Sequence, residues 1–276
     1  MPLYQAIILA IVQGLTEFLP ISSTAHLWLV PWLLHWPKLE GISDLTFDVA
    51  LHAGTLVAVL LYFWRIWIEM LKAVVGLGGH DAAKISEHRR LFLFLVIGTI
   101  PGGIAGLLFE RAADEELRQP LVIGLAMVVV ALLMWAAERM KSSKPELKDV
   151  SLMDSIIVGV AQAFAVIPGV SRSGVTMTGG LFRGMGCETC ARFSFLLSTP
   201  LIAGAVLKKG FEMHHSGLPA DMRLPLIVGI AVSALVGYAV IAFLIRYLER
   251  RTFKIFIVYR IALGVILLAL GWGLRH

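Results

Sequence analysis

Two short segments of the sequence place acids, bases and hydroxyl groups inside otherwise apolar stretches. The first is GLTEFLPISSTAH at 14–26 and the second is AFAVIPGVSRSGVT at 163–176. A charged side chain costs about 2.5–3.5 kcal/mol at the centre of a membrane helix and is rare there without a partner or a function. Because both segments keep these costly residues, we expect them to pack against each other or around water and to carry the chemistry.

The first segment combines a carboxylate with a hydroxyl and an imidazole. Gln13 and Glu17 are four residues apart, which places them on one helix face where they could share a cation or a water. Beyond Pro20, Ser23 lies three residues before His26, the outline of a nucleophile beside a base. The alternative is that Glu17 serves only as the structural partner of a buried arginine. Two neighbouring hydroxyl groups could bind substrate: Ser22 and Thr24.

The second segment has the composition of an oxyanion clamp. Arg172 is its only cation, and a guanidinium offers a planar fork of donors that matches phosphate oxygens. Gly174 allows the backbone to approach a ligand closely, and Pro168 with Gly169 makes a turn. Arg172 could also be the counter-ion of Glu17, and both roles could hold together. The hydroxyl groups around Arg172 are candidate substrate ligands: Ser171, Ser173 and Thr176.

Three further positions carry polar groups in or near apolar runs. Arg260 lies deep in the last run, where snorkelling to the surface is difficult, so it should meet a carboxylate or the substrate. Asp48 and His52 are near the outer end of a span, which favours an interfacial position, with a supporting role in the site as the alternative. The two cysteines lack the second ligand pair that a zinc site needs.

The composition indicates that these segments belong to a polytopic membrane protein. Of 276 residues, 58% are hydrophobic, 16% are charged, and the mean hydropathy is +0.83. Runs long enough to cross about 30 Å of hydrocarbon are predicted at 47–64, 91–109, 120–137, 193–207, 224–245 and 255–274. The net charge of +5 comes from loops beside these spans, so it favours membrane orientation over a nucleic-acid partner.

The positions of the basic residues predict the topology. Fifteen Lys and Arg residues lie at 65–90, 139–153, 183–192 and 246–255, which should face the cytoplasm, and seven lie in the remaining connections. With six spans, residues 1–33 and 154–182 must each enter and leave on the same side, as re-entrant hairpins broken near Pro20 and Pro168. The sequence therefore predicts an all-α membrane protein of one integral membrane domain, with inverted repeat halves at about 1–138 and 154–276 joined by a cytoplasmic loop at 139–153.

These motifs resemble the undecaprenyl-diphosphate phosphatase family of the bacitracin-resistance type. The family motif of Glu or Gln, three residues and Glu falls on Gln13 and Glu17, and its PGxSRSxxT motif falls on 168–176 without a gap. RFSFLLSTP at 192–200 is also similar to the family, so the resemblance covers nearly the whole chain. Family members often have Glu at the position of Gln13 and Gly at that of Ala25.

The resemblance implies a function, a location and a cofactor. It implies hydrolysis of undecaprenyl diphosphate to the monophosphate at the periplasmic face of the bacterial inner membrane, which recycles the cell-wall lipid carrier and confers bacitracin resistance. It also implies a divalent cation, Mg²⁺ or Ca²⁺, and with Gln13 neutral its charge compensation would fall on Glu17 and the phosphates. We expect Arg172 to grip the diphosphate, Ser23 or a water to attack, and His26 to handle the proton.

Two matters stay open at this point. Inverted repeats with broken helices are also typical of transporters, so a membrane transporter or lipid flippase is the alternative function. The sequence is compatible with a monomer or a homodimer in contact with lipid.

Overall fold

The computed structural model describes residues 1–36, 44–77, 81–115, 117–140, 142–216 and 220–273. These residues form eleven α-helices: α1 (Leu3–Thr16), α2 (Ser23–Leu33), α3 (Asp44–Tyr62), α4 (Trp64–Val74), α5 (Ala82–Glu115), α6 (Pro120–Ala137), α7 (Leu152–Ala163), α8 (Arg172–Phe182), α9 (Cys187–Ser216), α10 (Ala220–Leu248) and α11 (Lys254–Gly273). The connections that were predicted at 34–46 and 110–118 lie partly outside the described residues.

The helices are those of a multi-pass membrane protein. Five are long and apolar enough to cross a membrane: α5, α6, α9, α10 and α11. A sixth candidate is divided, because residues 47–62 of α3 meet α4 at a bend of 75°. The sequence predicted one straight span at 47–64, whereas the chain continues past Phe63 as a second helix with a charged face. All-α architecture with five to six apolar membrane helices is therefore confirmed.

Two further pairs of consecutive helices are each separated by a short break. α1 ends at Thr16 and α2 starts at Ser23, with Pro20 in the connection. α7 ends at Ala163, a 3-10 turn follows at Phe164–Val166, and α8 starts at Arg172 after Pro168. A proline cannot donate the backbone hydrogen bond that would continue a helix, which favours both breaks. Proline alone is not sufficient, because Pro101 and Pro200 lie inside α5 and α9.

Packing brings the two breaks together. α10 packs against α1 and α3, α5 packs against α7, and α6 packs against α8 and α11. The largest apolar cluster, which includes Phe18, Phe195 and Ile257, is shared by helices from both ends of the chain. The first break contributes Phe18 and Ile21 to this cluster, whereas Val170 of the second break belongs to a separate cluster.

The connection between α6 and α7 is anchored by a buried carboxylate. Asp154 is fully buried and pairs with Lys144 at 2.5 Å and Arg183 at 2.8 Å. Ser151 caps α7 by accepting from the Asp154 N–H, and Asp154 accepts from the Ser151 N–H in return. This reciprocal cap fixes where α7 begins, and therefore how far its broken end reaches into the fold.

Candidate active site

Glu17 is the centre of the polar cluster. It caps the end of α1, where its N–H donates to the Gln13 carbonyl at 2.9 Å. Its carboxylate is buried: Oε2 accepts from Ser23 Oγ at 2.8 Å and from Gln13 Nε2 at 3.0 Å, and Oε1 pairs with Arg172. A buried carboxylate needs this many donors, since an unpaired charge in low dielectric is strongly destabilising.

Arg172 comes from the other broken pair and reaches across to this carboxylate. It is the first residue of α8, and in the described part of the chain Glu17 is its only ionic partner. Next to it, Ser173 Oγ lies 3.1 Å from the carbonyl oxygens of both Glu17 and Leu19 and donates to one of them at a time. The two segments predicted to converge therefore share an ion pair and a side-chain-to-backbone hydrogen bond.

Both helices that leave the breaks begin in the same way. Ser22 (φ 75°) and Ser171 (φ 69°) have positive φ, which is uncommon for a residue other than glycine. Each serine hydroxyl caps its helix, at 3.3 Å from the Ala25 N–H and 3.1 Å from the Gly174 N–H. The first-turn N–H groups of a helix have no partner within it and attract anions. The cluster thus contains two helix N-termini.

Arg260 ties the two breaks together from α11. Its fully buried guanidinium donates to the Pro20 carbonyl at 3.1 Å and, on the other break, to the Gly169 and Val170 carbonyls at 3.0 Å each. Its Nε donates to the Met127 carbonyl on α6 at 3.2 Å. The sequence predicted a carboxylate or the substrate as its partner; among the described residues its partners are carbonyl oxygens.

His26 does not face Ser23. Its Nδ1 lies 2.7 Å from the Ser22 carbonyl, which can only accept, so Nδ1 carries the proton. Its Nε2 lies 2.6 Å from the Tyr259 hydroxyl, and the two rings stack at 5.7 Å. The expected hydroxyl–imidazole pair is thus not formed here. The Ser23 hydroxyl donates to Glu17 instead, which makes this carboxylate its proton acceptor.

His52 contacts the site directly, whereas the sequence predicted at most a supporting position for it. Its Nδ1 donates to the Asp48 carbonyl at 2.7 Å, and its Nε2 lies 3.3 Å from Glu17 Oε2. Two donors on one imidazole mean a charged ring, or else a proton on Glu17. The Asp48 carboxylate pairs with Arg118. The i, i+4 spacing of Asp48 and His52 was visible in the sequence, but not that α3 packs against α1.

Gln13 supplies the observation that bears on a cation. It is fully buried, and its Oε1 has no hydrogen-bond partner in the described structure. Gln13 turns its Nε2 to Glu17, so its Oε1 would join the Glu17 carboxylate and the Ser23 hydroxyl as an oxygen ligand only after the amide rotates. Oxygen atoms are the ligands that Mg²⁺ and Ca²⁺ prefer. The described residues hold no group of three His, Cys, Asp or Glu that could bind a metal by themselves. These residues fit a hard cation only if substrate or water completes its shell.

The remaining predicted substrate ligands are two threonines, which offer hydroxyl groups, and two glycines, which allow close packing. Thr24 is half-buried at the start of α2, beside Ser23. Thr176 faces α9, where it shares a hydrogen bond of 2.6 Å with Ser194. Gly169 (φ +93°) packs on α6, where a Cβ would lie 2.4 Å from the Ile123 carbonyl, and a Cβ on Gly174 would meet Arg260 at 3.1 Å. Both glycines therefore allow close packing of the breaks.

The chain matches a family model and many curated relatives. The model for "Bacitracin resistance protein BacA" matches residues 6–266. The undecaprenyl-diphosphatase of Moorella thermoacetica is 49% identical over 272 residues, 99% of both chains. Those of Pelotomaculum thermopropionicum and Geotalea daltonii are 45% and 46% identical, covering 98% and 97% of this chain and 97% and 98% of their own.

Proposed function

The chain belongs to the bacitracin resistance protein BacA family, and on that premise we propose that it hydrolyses undecaprenyl diphosphate to undecaprenyl phosphate and inorganic phosphate. The observation that carries the assignment to a site is the buried ion pair between Glu17 and Arg172. It joins the two motifs on which the resemblance rests. It also brings Arg172, a cation that could bind phosphate, into contact with Glu17, a carboxylate that could accept a proton.

We infer an inverted repeat with two re-entrant hairpins, in which α1 and α2 correspond to α7 and α8. The support is local: Gln13 and Gln162 are both buried, and Ser22 and Ser171 share a positive φ and the same cap. The packing of α1 on α10 has its counterpart in that of α7 on α5. This register equates Ser171 with Ser22.

The diphosphate binds beside the N-termini of α2 and α8, which begin at the two breaks that Arg260 and the Glu17–Arg172 pair connect. Arg172 supplies a fork of donors to the terminal phosphate, and the first-turn N–H groups of α2 and α8 add positive potential. Ser22 and Ser171 fix the direction of these N–H groups through their caps. Arg260 donates hydrogen bonds to carbonyl oxygens of both breaks, so these partly negative atoms are occupied and do not repel the bound anion.

In the proposed reaction an oxygen nucleophile attacks the terminal phosphorus. The nucleophile is the Ser23 hydroxyl or a water in its place, and its proton passes to Glu17 Oε2, which accepts from Ser23 at 2.8 Å. The bond from phosphorus to the bridging oxygen breaks, and undecaprenyl phosphate leaves. If Ser23 attacks, water then hydrolyses the phosphoserine. Phosphoryl transfer depends mainly on positioning and charge neutralisation, which this cluster provides.

Gln13 and Glu17 would hold the divalent cation. When bound, it would neutralise charge on the diphosphate oxygens. His26, held by Ser22 and Tyr259, is placed to relay a proton at its Nε2, the nitrogen that faces the Tyr259 hydroxyl.

We further propose that the site opens to the periplasmic side of the bacterial inner membrane. The support is the distribution of basic residues, which places the α6–α7 and α10–α11 connections in the cytoplasm. The polyprenyl tail remains in lipid at about 0.8 kcal/mol per buried methylene, so the substrate enters laterally between helices.

Phosphate release from undecaprenyl diphosphate by the purified protein tests the proposal. Glu17→Ala and Arg172→Ala should each lower the rate at least 100-fold. Arg183→Ala, which removes an arginine from the far end of α8, should not. Equal rates in all three variants would remove the assignment. A transporter would instead move labelled lipid across liposomes and tolerate Ser23→Ala.

A further inference from the structure

The turn between α10 and α11 borders an open cavity that the proposed hydrolysis does not use. Its volume is about 570 Å³, and its cationic and aliphatic side chains are exposed. Three cationic side chains line it together with one aromatic ring, a hydroxyl and two aliphatic side chains: Arg250, Arg251, Lys254, Tyr247, Thr252, Ile255 and Val258. This site lies at the ends of two membrane helices, away from Glu17.

The cations of this cavity are not neutralised by the protein. In the described part of the chain, no carboxylate forms an ion pair with Arg250, Arg251 or Lys254. The Glu138 carboxylate reaches the same turn, but it accepts a hydrogen bond from the Phe253 N–H and does not line the cavity. Three uncompensated charges around one concave surface select an anion.

The wall of the cavity is apolar on the side that continues along α11. Ile255 and Val258 are 59% and 60% exposed, three residues apart on a helix that is long and apolar enough to span the membrane. A free inorganic ion would use the cations but not this wall. A ligand with a phosphate group joined to hydrocarbon uses both.

We propose that this cavity binds the headgroup of an anionic membrane phospholipid. The guanidinium groups of Arg250 and Arg251 bind the phosphate oxygens, Lys254 adds a third charge, and the first acyl methylenes lie along Ile255 and Val258. Basic pockets at the ends of membrane helices are suited to such headgroups. Tyr247 supplies an amphipathic ring at the depth where headgroup and hydrocarbon meet.

Titration of the detergent-purified full chain with short-chain lipids tests this binding. Short-chain phosphatidylglycerol should bind at least 30-fold more tightly than phosphatidylcholine of the same chain length. The triple variant Arg250→Gln, Arg251→Gln and Lys254→Gln should lose about 100-fold in affinity for phosphatidylglycerol, at roughly fivefold per cation near an anionic headgroup. Isothermal titration calorimetry or native mass spectrometry measures both.

Two controls separate this site from general surface charge and from free phosphate. The triple variant Arg65→Gln, Lys72→Gln and Lys84→Gln removes the same charge from exposed positions on α4 and α5, and it should bind phosphatidylglycerol as the unchanged protein does. Inorganic phosphate should bind at least 30-fold more weakly than the lipid. Equal losses in the two triple variants, or equal affinity for phosphate and lipid, would overturn the proposal.

If a triple variant fails to fold, lipid binding by the unchanged protein still tests the proposal. Failure of the unchanged protein to discriminate phosphatidylglycerol from phosphatidylcholine contradicts the proposal. The single variant Arg251→Gln should weaken phosphatidylglycerol binding about fivefold. It removes only one charge, so it disturbs the fold less than the triple variant does.

Discussion

The Glu17–Arg172 pair could be a structural link, a catalytic unit or both, and a double-mutant cycle separates these roles. The variants are Glu17→Gln, Arg172→Gln and the combination of the two. Each single variant leaves one buried charge without its partner, whereas the double variant leaves two neutral amides of similar shape. Stability and activity should therefore respond differently to the second substitution.

The expected magnitudes follow from burial. Removing one member of a buried pair costs about 3–5 kcal/mol. The Arg172→Gln variant should be at the lower end, because His52, Ser23 and Gln13 still contact the Glu17 carboxylate. A loss of about 3 kcal/mol corresponds to a fall in thermal midpoint of roughly 6–12 °C for a chain of this size. The double variant should recover most of this stability, because neither residue 17 nor residue 172 then carries an unpaired charge.

Activity should not recover with stability. Each single variant should lose at least about 100-fold in kcat/KM for undecaprenyl diphosphate, and the double variant should be no more active than the weaker single variant. Thermal unfolding in detergent and phosphate release measure the two quantities. Lys144→Gln is the matched control, since it breaks the buried pair with Asp154 and should lower stability without lowering kcat/KM of folded protein. Activity that returned in the double variant would refute a direct role for the pair in the reaction.

Three further outcomes are expected. Gly169→Ala should prevent accumulation of folded protein, because its Cβ would meet the Ile123 carbonyl at 2.4 Å, whereas Gly76→Ala, with a similar φ of +82° and open space, should cost only about 1–2 kcal/mol; equal unfolding midpoints would contradict this. Tyr259→Phe should lower kcat about tenfold and change the pH–rate profile with no shift in thermal midpoint, because it frees His26 Nε2; an unchanged profile would remove the relay. Chelation of divalent cations should abolish phosphate release, and added Mg²⁺ or Ca²⁺ should restore it; full activity in chelator would exclude the cation.

The contact between the two motifs could be predicted from the sequence because its cause is local. Pro20 and Pro168 favour a break beside polar residues, and unpaired Glu17 and Arg172 in apolar surroundings must find opposite charges. Those two constraints were enough to predict that the breaks converge. The apolar runs likewise predicted the membrane helices, since length and hydropathy are properties of the chain alone.

The contacts that the sequence did not predict depend on how helices pack. His52 reaches Glu17 only because α3 lies beside α1, and Tyr259 reaches His26 only because α11 passes α2. The positive φ of Ser22 is a second cause, since that turn directs Ser23 towards Glu17. The bend after α3 has no proline or glycine to mark it, and residues 47–64 have the composition of an uninterrupted span.

The position of Arg260 limits how the protein can move. A carrier that alternates between two faces of a membrane must rock one half against the other around its binding site. Here a single side chain binds the Pro20 carbonyl in one break and the Gly169 and Val170 carbonyls in the other. Such rocking would pull a buried cation away from its acceptors. We therefore expect the two breaks to move as one unit, as an enzyme that holds its substrate in place requires.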